Sequence, residues 1–416
     1  MIQNYEEFKN YWIINNDTII IKQQFNNDIN LIYFNNNILS LIFINYKKIE
    51  VNNNSFDNKY YNSYEYTISR FNNSVDKLPQ SLQNITFGYN FNQSVDNLPP
   101  TLQNLTFDFN FNQSVDNLPS TLQNLTFGHK FNQSVDNLPQ SLINLTFGDD
   151  FNQTIDNLPS GLLNLTFGVC FNQLVDNLPS GLLNLTFGVC FNQLVDNLPL
   201  NLQNLTFGEF FNQSVDNLPL NLQNLTFVDG EFNCTVDNLP LNLQNLTFDG
   251  EFNCTVDNLP LNLQNLTFSI EFDQPVDNLP SEILNLIFGD CFNKQVNNLP
   301  QNLQNLIFCY YFNQQVDNLP HSLQNLTFGC CFNQFLENLP NSILTINFVD
   351  NVDNYNYDEF KFNKQLNCLP NTILELRLPK NYNYEIEHFY PKLKKIYCVS
   401  SYQFIDKFSN IDINFI

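Results

Sequence analysis

From Phe71 onward one unit of about 20 residues recurs so regularly that the chain is limited to architectures that stack copies of a short coil. The unit opens at Phe71, Phe91, Phe111, Phe131, Phe151, Phe171, Phe191 and Phe211. After a one-residue insertion it resumes at Phe232, Phe252, Phe272, Phe292, Phe312 and Phe332. A longer insertion rich in Asp, Asn and Tyr, residues 349–361, precedes a last clear unit at Phe362, which makes 15 units. Residues 151–170 and 171–190 are nearly identical, the mark of a recent duplication.

The unit from Phe91 to Asn110 shows what each copy folds into. Asn104-Leu105-Thr106-Phe107 alternates polar and apolar residues, which predicts a short strand with Leu105 and Phe107 inward. Pro99 lacks an N–H and fixes φ, and it pushes Leu98 toward extended backbone, so a continuous helix is excluded. The return half is therefore extended, turn or short 3-10 structure. Phe91, Val95, Leu98, Leu102, Leu105 and Phe107 are the six inward positions. No single coil can enclose them, but stacked coils bury them as continuous ladders. Asn92 suits an asparagine ladder at the turn, and Asp96 an Asx-type turn before Leu98-Pro99. The fold class is a mainly β repeat solenoid, a leucine-rich-repeat-like stack with short strands on one face.

The order Phe-Asn-x-x-Val-Asp-Asn-Leu-Pro-x-x-Leu-x-x-Leu-x-Phe-Gly, well seen from Phe131 to Gly148 and from Phe211 to Phe227, resembles the FNIP repeat, a leucine-rich-repeat variant of amoebae and giant viruses. The resemblance covers residues 71–378. It implies a protein-interaction solenoid, no catalysis and no cofactor. Some FNIP proteins carry an N-terminal F-box that docks to a cullin ubiquitin ligase through a helical segment with an early Leu-Pro. Residues 1–70 contain no proline, and the first Leu-Pro is Leu78-Pro79 inside the repeats, which disfavours a cullin adaptor as partner.

The flanks are read as caps that seal the ends of the core, as solenoids require. In residues 1–70, Thr18 to Ile21 and Leu31 to Phe34 read as strands, and Ile38 to Phe43 reproduces the repeat's spacing. The rival reading is a separate adaptor module holding Trp12. Residues 379–416 form the other cap, where Leu393, Ile396 and Cys398 keep the spacing and Lys392, Lys394 and Lys395 discourage further strand pairing.

Charge narrows the partners. With 41 acidic and 17 basic residues the formal charge is −24, so phosphate backbones and anionic membranes are repelled and basic or neutral proteins are favoured. Alanine is absent and asparagine abundant, a bias toward AT-rich codons that says little about function. The opening residues lack the basic and apolar regions of a signal peptide, and no run is long enough to cross a bilayer. The expected location is intracellular, in the cytoplasm, or the host cytoplasm for a viral protein.

No group of residues converges as catalysis requires. His129, His321 and His388 fall at different places in the unit. Ten cysteines lie between Cys170 and Cys398; the pairs Cys170/Cys190 and Cys234/Cys254 are within disulfide reach in adjacent coils, but an intracellular setting favours free thiols. The column from Asp76 through Asp96, Asp116, Asp136 and Asp156 is explained by turn bonding without metal, and the Asn-x-Ser/Thr triplets by the repeat frame.

Two surfaces are candidates for partner binding. The strands turn a polar ladder outward: Asn104, Thr106, Asn124, Thr126, Asn144, Thr146, Thr166, Thr186 and Thr206. Variation from unit to unit concentrates just after the inward Phe, at His129, Lys130, Glu209, Phe210 and Tyr310, and recognition tends to sit on such variable edges over a rigid frame. The expected function is a non-enzymatic protein–protein interaction scaffold. The alternatives are a substrate receptor of a cullin-type ligase, and a structural component.

Overall fold

The computed structural model describes residues 12–15, 18–21, 39–43, 69–349 and 360–416. The expected strand Leu31 to Phe34, the side chain of Trp12 and residues 350–359 of the insertion lie outside the described residues. Two compact units, Met1–Gln193 and Leu194–Ile416, divide the chain.

In the first unit, β1 (Trp12–Asn15) pairs antiparallel with β2 (Thr18–Ile21), and β2 pairs parallel with β3 (Ser40–Phe43). The repeat strands follow: β4 (Asn84–Thr86), β5 (Asn104–Thr106), β6 (Asn124–Thr126), β7 (Asn144–Thr146), β8 (Asn164–Thr166) and β9 (Asn184–Thr186). Each pairs parallel with the strand before it, like residue on like residue, as in Leu105 opposite Leu125.

The second unit repeats the plan. Its strands are β10 (Asn204–Phe207), β11 (Asn224–Gly230), β12 (Asn245–Gly250), β13 (Asn265–Thr267), β14 (Asn285–Ile287), β15 (Asn305–Ile307), β16 (Asn325–Phe328), β17 (Thr345–Phe348), β18 (Glu375–Arg377), β19 (Lys395–Cys398) and β20 (Asp412–Phe415), and each from β11 onward pairs parallel with the strand before it. The fold is thus a parallel β-solenoid of about 20-residue coils, as the repeat predicts.

One coil shows why the stack holds. Phe131, Val135, Leu138, Leu142, Leu145 and Phe147 are all buried, none more than 3% exposed. The two phenylalanines work across coils: Phe147, at the strand end, stacks on Phe151, which opens the next coil, at 3.8 Å between ring centres and 9° between planes. Phe127 and Phe147 in successive strands lie 5.6 Å apart. Each buried ring contributes about 1.5–3 kcal/mol from removal of apolar surface, with a further offset-stacking term.

The return segments are extended and turn structure, and the 3-10 stretch among the described residues is Ile405–Phe408 near the C-terminus. Pro139 does not break the coil because it sits where only its carbonyl is needed: Leu142 N donates to Pro139 O at 3.2 Å and closes a β-turn. The insertion before Phe232 is absorbed at the coil edge, where β11 runs on to Gly230 and its register with β12 shifts after Phe227. Gly250 there has φ +75°, and a Cβ on it would stand 2.2 Å from Gly230 O, so both backbone hand and space require glycine.

Toward the C-terminus tyrosines enter the core. Tyr382, Tyr390 and Tyr402 are buried. The Tyr390 hydroxyl donates to Leu366 O and accepts from Leu369 N at 3.3 Å, and Tyr382 Oη accepts from Leu366 N at 3.2 Å. Burial pushes the Tyr390 phenol up to about 12. These hydroxyls satisfy backbone groups of the coil that opens at Phe362.

Candidate functional site

Most polar side chains of the repeat are engaged in holding coil to coil, which fixes what is left to face a partner. Asn92 Oδ1 accepts from the Asn112 backbone N–H at 2.9 Å and from Gln113 Nε2 at 3.0 Å. The same pair of bonds recurs from Asn132 to Asn152 N and Gln153 Nε2, each at 3.0 Å. This is the ladder the turn asparagine predicts.

Where the sequence departs from the frame, the ladder is rebuilt with other donors. Cys234, at the glutamine position, points its thiol at Asn212 Oδ1 at 3.2 Å, and Cys254 does so at Asn233 Oδ1 at 3.3 Å. Asp273 replaces the asparagine and Lys294 the next glutamine, and the two form an ion pair of 2.6 Å. All ten cysteines are free thiols. Among the described residues, no three His, Cys, Asp or Glu side chains are grouped to hold a metal ion.

The aspartate column is exposed, but its bonding is only half local. Asp96 Oδ2 accepts from Ser94 Oγ at 2.7 Å, while Oδ1 accepts from Asn117 Nδ2 of the next coil at 3.1 Å. The turn at Asp96 is thus bonded locally through Ser94 and, in addition, to the next coil. The bond between coils brings an amide donor between successive carboxylates, which offsets the repulsion of stacked like charges. The hydroxyl of Ser94 and the amide of Asn117 hold the Asp96 carboxyl below its ordinary range, as Ser74 and Asn97 do for Asp76.

The strand face is the first candidate surface. Asn104, Asn124 and Asn144 are half-buried and form their own chain of side-chain bonds, Asn124 Nδ2 donating to Asn104 Oδ1 and Asn144 Nδ2 to Asn124 Oδ1. Thr106, Thr126, Thr146, Thr166 and Thr186 stand half-buried beside them in the first unit, and Thr206 likewise in the second. The result is a regular, pre-ordered polar surface.

The variable edge is the second. In the first unit Tyr89 stacks on Phe109 at 4.6 Å and Phe109 on His129 at 4.5 Å and 3°. His129 Nδ1 lies 2.8 Å from Asp149 Oδ2 and its Nε2 3.5 Å from Asp150 Oδ1, and Lys130 Nζ sits 5.4 Å from the Phe109 ring centre. The edge is thus an ordered, half-exposed row of rings ending in two carboxylates. In the second unit Glu209 and Phe210 are exposed, and Tyr310 meets Tyr311 edge-on at 4.6 Å.

Two further features are not apparent from reading one unit at a time. A shallow cleft of about 380 Å³ is lined by Phe335, Glu337, Lys364, Cys368 and Tyr384, with Lys364 Nζ 5.1 Å from the Phe335 ring centre. Leu200, Leu220, Leu241 and Leu261 are exposed at one position of four consecutive coils. The signal for them is the residue after Leu-Pro, which is polar or proline in the other clear units and leucine in these four.

The fold and these ladders define a leucine-rich-repeat-like parallel β-solenoid. Within that class the FNIP Repeat family matches residues 71–109, 94–130, 111–148, 131–170 and 292–331. Among solved structures, the chain is similar to the giant-virus protein CroV588, described as a novel circular LRR protein, with a TM-score of 0.58 and 27% identity over 95% of this chain and 78% of that one. It is also similar to YopM from Yersinia enterocolitica (TM-score 0.43, 19% identity, 78% and 84% covered). A third is the internalin InlF from Listeria monocytogenes (TM-score 0.43, 17% identity, 73% and 82% covered). No curated protein matches the chain. No helix among the described residues is long and apolar enough to cross a membrane.

Proposed function

We propose that the chain is a non-enzymatic protein-interaction scaffold that presents its strand face and variable edge to basic or neutral partner proteins in the cytoplasm. The observation that carries this reading is the Tyr89–Phe109–His129 row, capped by Asp149: the side chains that differ from coil to coil are the ones held in order on the edge of an invariant frame. Binding energy concentrates in such pre-ordered aromatic groups. The formal charge of −24 steers basic surfaces toward it and nucleic acid and anionic membranes away. No cofactor is required.

The test is cross-linking affinity capture from the native or host cell with the full-length chain beside two variants. Phe109→Ser with His129→Ser removes the edge row, and Thr126→Lys with Thr146→Lys blocks the strand face. Partners lost with one variant and kept with the other place the contact. A cullin adaptor among them would favour the ligase-receptor reading, and identical recovery from all three chains would sink both proposed surfaces.

A further inference from the structure

In each of four successive coils of the second unit, a leucine occupies the tip of the turn that follows Leu-Pro. Leu200 is 73% exposed, Leu220 69%, Leu241 66% and Leu261 71%. Their turns are fixed: Leu202 N donates to Pro199 O at 3.1 Å, and Leu222, Leu243 and Leu263 repeat the bond. The first three turns are also tied to the next coil, since Asn221, Asn242 and Asn262 donate through Nδ2 to the carbonyls of Leu200, Leu220 and Leu241 at 3.0, 2.9 and 2.9 Å. The leucines are thus held in an ordered row that the core does not use. At about 4.8 Å per coil the row spans about 14 Å.

The same return segments carry a parallel row of exposed carboxylates at Asp196, Asp216, Asp237 and Asp257, four residues before each leucine. Their positions are fixed by the inter-coil amides of Asn217, Asn238, Asn258 and Asn278. Residues 194–261 contain neither lysine nor arginine, so nothing in this stretch neutralises the row. A second copy of the chain would bring the same charges against it and be repelled.

From this pairing of an apolar row with an acidic row we propose that Leu200, Leu220, Leu241 and Leu261 dock a basic amphipathic helix of a partner protein, laid along the stacking direction. The spacing fits: a helix advances about 5.4 Å per turn, so an apolar stripe at i, i+4, i+7 and i+11, about 16 Å long, lies along the four coils, while lysines on one flank meet the carboxylates. The inference rests on the scaffold reading but assigns a different face from the strand ladder and the variable edge.

Fluorescence anisotropy of the full-length chain with a labelled Leu/Lys peptide of about 18 residues, its leucines at i, i+4, i+7 and i+11, tests it against a scrambled peptide of equal composition and charge. The patterned peptide binds at least about tenfold tighter. The quadruple variant Leu200→Ser, Leu220→Ser, Leu241→Ser, Leu261→Ser loses that preference, keeps its affinity for the scrambled peptide and unfolds as the parent does. A preference that survives in the variant, or none in the parent, overturns the proposal, as does a parent that sediments as a dimer while the variant is a monomer. The Phe109, His129, Thr126 and Thr146 variants leave peptide binding unchanged, so a failure here is separable from a failure of the two surfaces proposed above.

Discussion

Lys294 Nζ stands 2.6 Å from Asp273 Oδ2 at a point where neighbouring coils place a glutamine amide against an asparagine. The frame therefore accommodates a charged rung where both residues have changed. Both groups are more than a third exposed, so their coupling is about 0.5 kcal/mol after solvent screening. Lys294→Glu sets like charges together and lowers thermal stability, and Lys294→Gln with Asp273→Asn restores it. A double-mutant cycle in low and high salt checks this, with the coupling fading in high salt.

The turn asparagines are interior parts rather than decoration. Asn132→Leu removes the acceptor of both Asn152 N and Gln153 Nε2 and leaves a half-buried backbone N–H unpaired. The expected cost is about 1–3 kcal/mol, read in denaturant unfolding. Hydrogen exchange would show the loss concentrated at the 132 and 152 coils, because each coil depends on its immediate neighbours.

Phe147→Ala empties a site stacked against Phe127, Phe151 and Phe167 and is expected to cost about 3–5 kcal/mol. Phe210→Ala, at an exposed ring, costs less than about 0.5 kcal/mol in the same unfolding assay.

Stability responds to acid through the aspartate column. The folded-state pKa values of Asp76 and Asp96 are depressed by hydrogen bonds, first from Ser74 and Ser94 and then from Asn97 and Asn117. Their contribution is present above the unfolded value of about 3.9 and is lost as pH falls through the lower folded values. The melting temperature of Ser94→Ala therefore lies slightly below that of the parent near neutral pH, and the two converge at the acid end. A gap that widens on acidification would contradict the assignment.

Thiol reactivity follows exposure. Burial, with the Asp290 carboxylate, pushes the Cys309 thiol up to about 11. At pH 8 only about one thiol in a thousand is then ionised there. Timed alkylation with mass spectrometry is expected to mark the exposed Cys368 and Cys170 well before Cys309 and the buried Cys330, Cys331 and Cys398.

The periodicity of Phe, Val, Leu and Pro determined the coil, its six buried positions, its parallel strand and its extended return, because each follows from local geometry within 20 residues and from the need to hide an apolar face. The ladder of Asn92 was legible for the same reason: an amide at a turn needs partners and finds them one coil away. The sequence could also place Asn104 and Thr106 outside the core, but not show that the Asn104 amide is engaged by Asn124. Only the tertiary structure decided that Asp96 bonds the next coil as well as its own turn, that Phe109 carries the ring of His129, and that Leu200 and Leu261 belong to one exposed row. Each of these joins residues about a coil or more apart, so it depends on the register of stacking and on side-chain direction, which composition and spacing within a unit leave open.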